Sequence, residues 1–302
     1  MMGYSHPQYA ASLAEFGVPH QLPRCSGSIL VRQIEGTSAR DAMGCYPIFA
    51  CRDWSGLKDD LDTIDKELAS VVVVSDPFGD YTVKILRDAF HDLIVEFKEH
   101  FIVDLDRSPD EFVDSHHQRN ARTALKKIEV ELVANAPDAV EDWNRLYAHL
   151  IARHRITGIA RFSRWSLEQQ LKVPGATLFR ALREGRTVGM AFWYVGETEA
   201  YYHLGAYSEE GYKERASFAL FIRAIEDFSK RGLRRLELGA GAGATAKETD
   251  GLSRFKRGWS TSTRTAYLCG RILNHDKYRE ITEARRVTKT DYFPAYRQGE
   301  FI

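Results

Sequence analysis

No two cysteines in this 302-residue chain stand at C-x-x-C spacing, and none of Cys25, Cys45, Cys51 and Cys269 has a histidine at ligand spacing. That excludes a zinc ribbon and a disulfide framework, and the four read as buried or free thiols. Long apolar runs are also missing. The longest aliphatic stretch is Val71–Val74, far short of the roughly 20 residues that span a bilayer. Met1 to Tyr9 offer neither a basic start nor an apolar run, so no leader is expected and a reducing cytoplasm is the expected compartment. Net charge is absent too, with 42 basic and 42 acidic side chains, which argues against binding nucleic acid or anionic membrane through bulk charge.

What is present fits an ordinary soluble protein: 44% hydrophobic and 28% charged residues over a length that suits two domains. The charge divides unevenly. Residues 1–115 carry 10 basic and 20 acidic side chains, and residues 116–302 carry 32 and 22, so an anion-seeking surface belongs on the second part.

Along the first part the pattern predicts strands at Ser28–Ile34 and Tyr46–Ala50, a helix over Leu57–Leu68, and a fully buried strand at Ser70–Ser75. Leu86, Phe90, Leu93 and Phe97 recur at helical spacing and predict a helix over Thr82–Phe97, followed by a strand through Phe101, Val103 and Leu105. Ser108-Pro109 reads as a helix start. A basic helix over Ser115–Lys127 then leads to a strand at Glu129–Val133, and the domain boundary is placed at 115/116. Beyond it come an amphipathic helix over Asp138–His154, a helix at Ser166–Leu171, and a three-strand meander through Thr177–Leu182, Val188–Val195 and Ala200–Leu204. A helix over Ser217–Ser229 ends in Lys230-Arg231-Gly232, and strands are expected at Leu233–Leu238 and Ser262–Leu268. The aromatic tail Asp291–Arg297 is expected to pack back on the body.

Glu237-Leu238-Gly239-Ala240-Gly241-Ala242-Gly243 looks at first like the glycine loop of a methyltransferase or dinucleotide-binding fold. The context fails. No strand ending in an acidic group follows about 20 residues on, and Thr245–Arg257 reads as polar and turn-like. His116-His117 suggests a metal pair, but neighbours on a helix point about 100° apart, so helix-start polarity is the better account and no metal site is expected.

The run from Ala200 to Leu268 orders strand, Gly205-Ala206, polar loop, helix, strand, glycines, and then Gly251-Leu252-Ser253-Arg254-Phe255-Lys256-Arg257-Gly258-Trp259. It resembles the acyl-donor half of the GNAT fold as found in the Fem family of peptidoglycan aminoacyltransferases and their acetyltransferase-like relatives. Leu236-Glu237-Leu238-Gly239 stands at that family's aromatic-Asp-Leu-Gly strand end, and Phe255-Lys256-Arg257-Gly258-Trp259 at its Phe-Lys-x-Gly-aromatic motif. The basic helix around Arg119 and Arg122 resembles the family's Arg-rich helix. Two departures stand out: Glu237 replaces the family's Asp, and Gly211-Tyr212-Lys213-Glu214-Arg215-Ala216-Ser217 occupies the place of the acetyltransferase pyrophosphate loop.

The resemblance implies an α/β fold of tandem GNAT-like domains, each a mixed, mostly antiparallel sheet flanked by helices, the first a degenerate copy over residues 1–115. It implies an N-acyltransferase that moves an acyl group from an acyl thioester, acyl-CoA or acyl carrier protein, to an amine of a small molecule, amino acid or peptide. No tightly bound cofactor is expected, the acyl thioester serving as co-substrate. Two alternatives stay open: aminoacyl-tRNA-dependent transfer, and a non-catalytic binding protein of the same fold. Candidate catalytic residues are His203 or Glu237 as base and Lys256 as stabiliser of negative charge. Gly205, Lys213, Arg215, Ser217 and Phe255 are the candidates for holding the donor.

Overall fold

The computed structural model describes residues 1–64, 66–241, 250–287 and 290–300. In chain order the strands are β1 (Val18–Leu22), β2 (Gly27–Gln33), β3 (Arg40–Gly44), β4 (Leu68–Val74), β5 (Leu93–Asp104), β6 (Glu129–Leu132), β7 (Ala176–Arg183), β8 (Arg186–Val195), β9 (Glu199–Tyr207), β10 (Arg235–Glu237) and β11 (Ser262–Ile272). The helices are α1 (Pro7–Ser12), α2 (Leu57–Thr63), α3 (Val83–Ala89), α4 (Pro109–Phe112), α5 (Ser115–Ala124), α6 (Val140–His154), α7 (Arg164–Gln170), α8 (Glu209–Lys213), α9 (Ala216–Lys230), α10 (Gly251–Arg257) and α11 (His275–Ala284). They fall into two compact units, one of Gly3–Lys98 with the chain from Thr265 onward, the other of Glu99–Arg264.

In the first unit the strand order is β1-β2-β3-β4-β11, antiparallel throughout except where β3 runs parallel to β4. Its core joins Leu57 and Leu61 of α2, Leu86 and Ala89 of α3, and Val71 and Val73 of β4. The valine run is therefore buried on one face, while Val72 and Val74 stay half-buried. The tail returns as expected: the Tyr296 hydroxyl meets Ser70 Oγ at 2.7 Å, and Arg297 forks onto buried Asp41 at 2.5 and 2.8 Å.

In the second unit the order is β5-β10-β9-β8-β7-β6, with β10 and β9 parallel and the other pairs antiparallel. Both units are thus mixed, mostly antiparallel sheets flanked by helices. Adjacent residues of β8 serve opposite faces, as the pleat requires. Trp193 packs on Phe221 and Phe228 of α9, and Phe192 on Trp143 of α6. Helix α9 buries Ala219, Leu220, Ala224, Ile225 and Phe228, the i, i+4 stripe of an amphipathic helix.

Several elements differ from the sequence expectation. The expected helix over Thr82–Phe97 stops at Ala89, and Leu93 begins β5; Leu93 and Phe97 share helical spacing with Leu86 and Phe90 by coincidence. No strand forms at Tyr46–Ala50 beyond a single bridge from Phe49 to Ser75, and β3 lies earlier. Gly251–Arg257 is helical rather than turn-like, started by Asp250, whose carboxylate accepts from Ser253 N at 2.8 Å and Ser253 Oγ at 2.6 Å.

Candidate functional site

The parallel pairing of β9 with β10 covers Glu199–Tyr201 against Arg235–Glu237 only, while β9 continues to Tyr207. From Tyr202 onward the edge of β9 that faced β10 has no strand beside it among the described residues. Among the described residues, the pairing of β9 with β10 therefore ends at this point. The antiparallel pairing of β8 with β9 is as expected, and a doubly wound parallel sheet of the dinucleotide-binding kind is absent among the described residues. Ala242 and Gly243 of the glycine run lie outside them.

A β-bulge marks the opening. Phe192 pairs with Leu204 and Trp193 with Tyr202, which leaves His203 as the extra residue. The bulge turns His203 toward α7, where its Nε2 lies 2.9 Å from Gln170 Oε1 and its ring among Phe162, Phe192 and Tyr194. Burial pushes the His203 pKa down to about 3. Gly205 is needed for a different reason from donor approach: a Cβ there would lie 1.9 Å from the Tyr202 hydroxyl and 2.8 Å from that of Tyr207. Two phenols occupy that space, and burial raises the pKa of both.

His203 has a consequence for stability. An unfolded chain carries this imidazole at roughly its ordinary value of 6.5, so below that pH the unfolded state takes up a proton that the native state refuses until about pH 3. Stability should fall as pH drops from about 6.5, with a slope of up to about 1.4 kcal/mol per pH unit. Urea unfolding of the parent and of His203→Gln across pH 5 to 7 checks this, with the variant expected to have the flatter profile. Parallel profiles would show that His203 does not govern acid sensitivity.

At the far end of β10 a second group of side chains converges. Glu237 is 3% exposed; its Oε1 accepts from the backbone N–H of Gly239 and lies 2.9 Å from His100 Nδ1. With the carboxylate accepting at Nδ1, a neutral His100 would present Nε2 as a lone pair. Arg235, two residues earlier, pairs instead with Glu199. Lys256 of α10 is 6% exposed and donates from Nζ to Ala240 O at 2.7 Å. Gly239 has φ +81°, and a Cβ there would lie 2.7 Å from Lys256 Nζ, so glycine is needed both for the turn and for the ammonium beside it. His100, Glu237 and Lys256 thus meet around Gly239 and Ala240.

The motif Phe255–Trp259 divides its work. Phe255 is a packing residue against Phe218, Phe221 and His117. Gly258 makes room for the His117 ring, which a Cβ would approach at 2.1 Å, and Trp259 is fully buried.

Lys213, Arg215 and Ser217 stand at the start of α9. Lys213 and Arg215 are exposed and Ser217 is half-buried. Arg215 precedes the helix with φ 59° and donates from Nη1 to Asn120 Oδ1 of α5 at 2.8 Å. Glu214 points elsewhere, to Lys127 at 2.9 Å and Arg183 at 2.7 Å. An open groove of about 730 Å³ lies nearby between α6, the β7–β8 turn and the start of α8. Its arginines are committed: Arg145 to Asp142, Arg180 to Glu131 and Asp142, Arg186 to Glu210. Its surface is therefore charge-balanced, unlike the start of α9.

Comparison with known proteins agrees with this geometry. A family model described as an acetyltransferase (GNAT) domain matches residues 115–257. Among solved structures, FemX superposes with a TM-score of 0.68 at 14% identity, over 91% of this chain and 93% of that one. The C-terminal domain of a putative lysylphosphatidylglycerol synthetase from Agrobacterium fabrum gives 0.62 at 14% identity, over 91% and 90%. L-PGS from Bacillus licheniformis gives 0.59 at 15%, over 91% and 94%. A search of curated proteins by sequence finds no match. At such low identities the structural likenesses establish the fold.

Proposed function

We propose that this chain is an acyltransferase that joins an activated acyl or aminoacyl group to an amine, with the donor carbonyl held where β9 and β10 part; the match of residues 115–257 to an acetyltransferase (GNAT) domain model and the fold shared with FemX support this. The observation that carries the reading is the run of β9 past its last pairing at Tyr201. Backbone N–H donors along this edge of the strand would polarise a donor carbonyl laid against it.

The amine nitrogen attacks the carbonyl carbon, and the resulting N–H proton passes to a base. His100 suits that task better than His203. Its Nδ1–H is held by Glu237, which leaves Nε2 to accept, whereas His203 is enclosed by aromatic rings and has its pKa lowered by burial to about 3. Glu237 is then a positioning residue that fixes the tautomer, the logic by which a carboxylate orients a catalytic imidazole. The Lys256 charge offsets the negative charge on the tetrahedral oxygen. Collapse breaks the C–S or C–O bond, and the leaving thiolate or alkoxide takes up the proton.

The exposed cations Lys213 and Arg215 at the start of α9 support an anionic donor, whether a CoA thioester or an aminoacyl-tRNA. The basic face of α5, with exposed Arg119 and Arg122 and with exposed Lys126 just beyond its end, favours the longer polyanion as a second reading. Incubation with acyl-CoA, acyl carrier protein or charged tRNA and a panel of amines, followed by mass spectrometry, tests both. An amide formed only from charged tRNA selects the second reading, and no amide from any donor overturns the proposal. Donor affinity should fall with added salt, because exposed charges are screened within roughly 8 Å at physiological ionic strength. Lys213→Gln with Arg215→Gln should remove most of that salt dependence. Identical affinities for parent and double variant at two salt concentrations would show that this loop does not touch the donor.

A further inference from the structure

Helix α5 begins on the carboxy end of α10. The Asp114 N–H donates to Gly258 O at 2.9 Å, and His117 Nε2 lies 2.9 Å from Phe255 O. A carbonyl can only accept, so His117 carries its proton on Nε2 and turns an unprotonated Nδ1 the other way. That nitrogen is buried and has no hydrogen-bond partner, in a residue only 6% exposed. It faces Asp114 Oδ1 at 3.8 Å, beyond hydrogen-bond range. Two acceptors confront each other with no donor between them, an arrangement that costs free energy unless a cation fills the gap.

His116 supplies the third ligand. One ligand atom from each of Asp114, His116 and His117 lies within 4.8 Å of the others. Around a tetrahedral zinc ion, with bonds of about 2.0–2.2 Å, ligand atoms stand roughly 3.3–3.6 Å apart. The Asp114–His117 pair, at 3.8 Å, lies within a few tenths of an ångström of this. Exposed His116, whose Nε2 now lies 3.1 Å from the Asn120 amide, would close the set by turning its ring away from that amide. The 100° between neighbouring helix positions is no obstacle, because the ligand set is built from His117 and the preceding cap residue and His116 only closes it. A histidine that gives its second N–H to a backbone carbonyl is also the usual outer arrangement of a metal ligand.

We infer that Asp114, His116 and His117 form a binding site for a divalent transition-metal ion of the zinc class. Two imidazoles and one carboxylate suit zinc and its neighbours better than magnesium or calcium, which prefer oxygen.

The test uses the full chain, stripped with a chelator and titrated with Zn²⁺ by calorimetry and with Co²⁺ by its visible absorption. His116→Ala and Asp114→Asn are the variants, since both positions are exposed and asparagine still caps a helix. Stoichiometric binding by the parent is expected, weakened at least about ten-fold in each variant, the lower end of what even outer-shell changes cost. A parent that takes up neither ion, or either variant binding as the parent does, overturns the inference.

Discussion

Replacing His100 by Gln should lower turnover at saturating substrates by about 10²- to 10⁴-fold, the usual contribution of a positioned acid–base group. Glutamine can still donate to Glu237, so the melting temperature should move little and the loss should appear in kcat rather than KM. Glu237→Gln should cost a comparable factor, because an amide can donate as well as accept and no longer holds His100 Nδ1–H in place. If the two act as a unit, the double variant falls no further than the worse single one. A His100→Gln enzyme with parental turnover would remove the imidazole from the mechanism, and additive losses would separate Glu237 from it.

Lys256→Met is expected to slow transfer by about 10²-fold or more at saturating donor. Methionine keeps much of the buried chain length but loses the bond to Ala240 O, which lies 2.7 Å from the ammonium. A stability loss of about 1–3 kcal/mol accompanies that orphaned carbonyl, so turnover is measured well below the variant's melting temperature. Parental kcat with lowered stability would make Lys256 a pin for the loop after β10 and nothing more.

The meander, the long helices α6 and α9 and the family motif were legible because each is a local pattern: a period of two, a period of 3.6, or a short run of residue types. The failures have equally local causes. Leu93 and Phe97 continue the helical period of α3 into what is strand, so His100 lies between an expected helix and an expected strand and no motif picks it out. An alternative signal lay in Leu93-Ile94-Val95, with two β-branched residues in succession. Glu237 and Lys256 were found through motif positions, but their meeting at Gly239 and Ala240 depends on contacts across many residues that no spacing encodes. His203 was attractive because an imidazole titrates near neutrality; its neighbours Gln170, Phe162 and Tyr194 come from other elements, and only their packing decides its protonation. Gly205, expected to hold the donor, has a missing side chain that accommodates two tyrosines of its own strand.

The extra residue at His203 changes the parity of β9. In an uninterrupted strand, positions 200 and 202 would share a face with 204 and 206. Here Ala200 and Tyr202 share the α9 side with odd-numbered Gly205 and Tyr207, so even positions count before the bulge and odd ones after it. The inserted residue is thus an arithmetic device: it brings the phenols of Tyr202 and Tyr207, five positions apart, over one glycine, which unbroken alternation forbids. Loss of His203 would restore regular counting with the two tyrosines four positions apart and still on one side, whereas a strand that kept all its residues but lost the bulge would send one of them to the opposite side of the sheet.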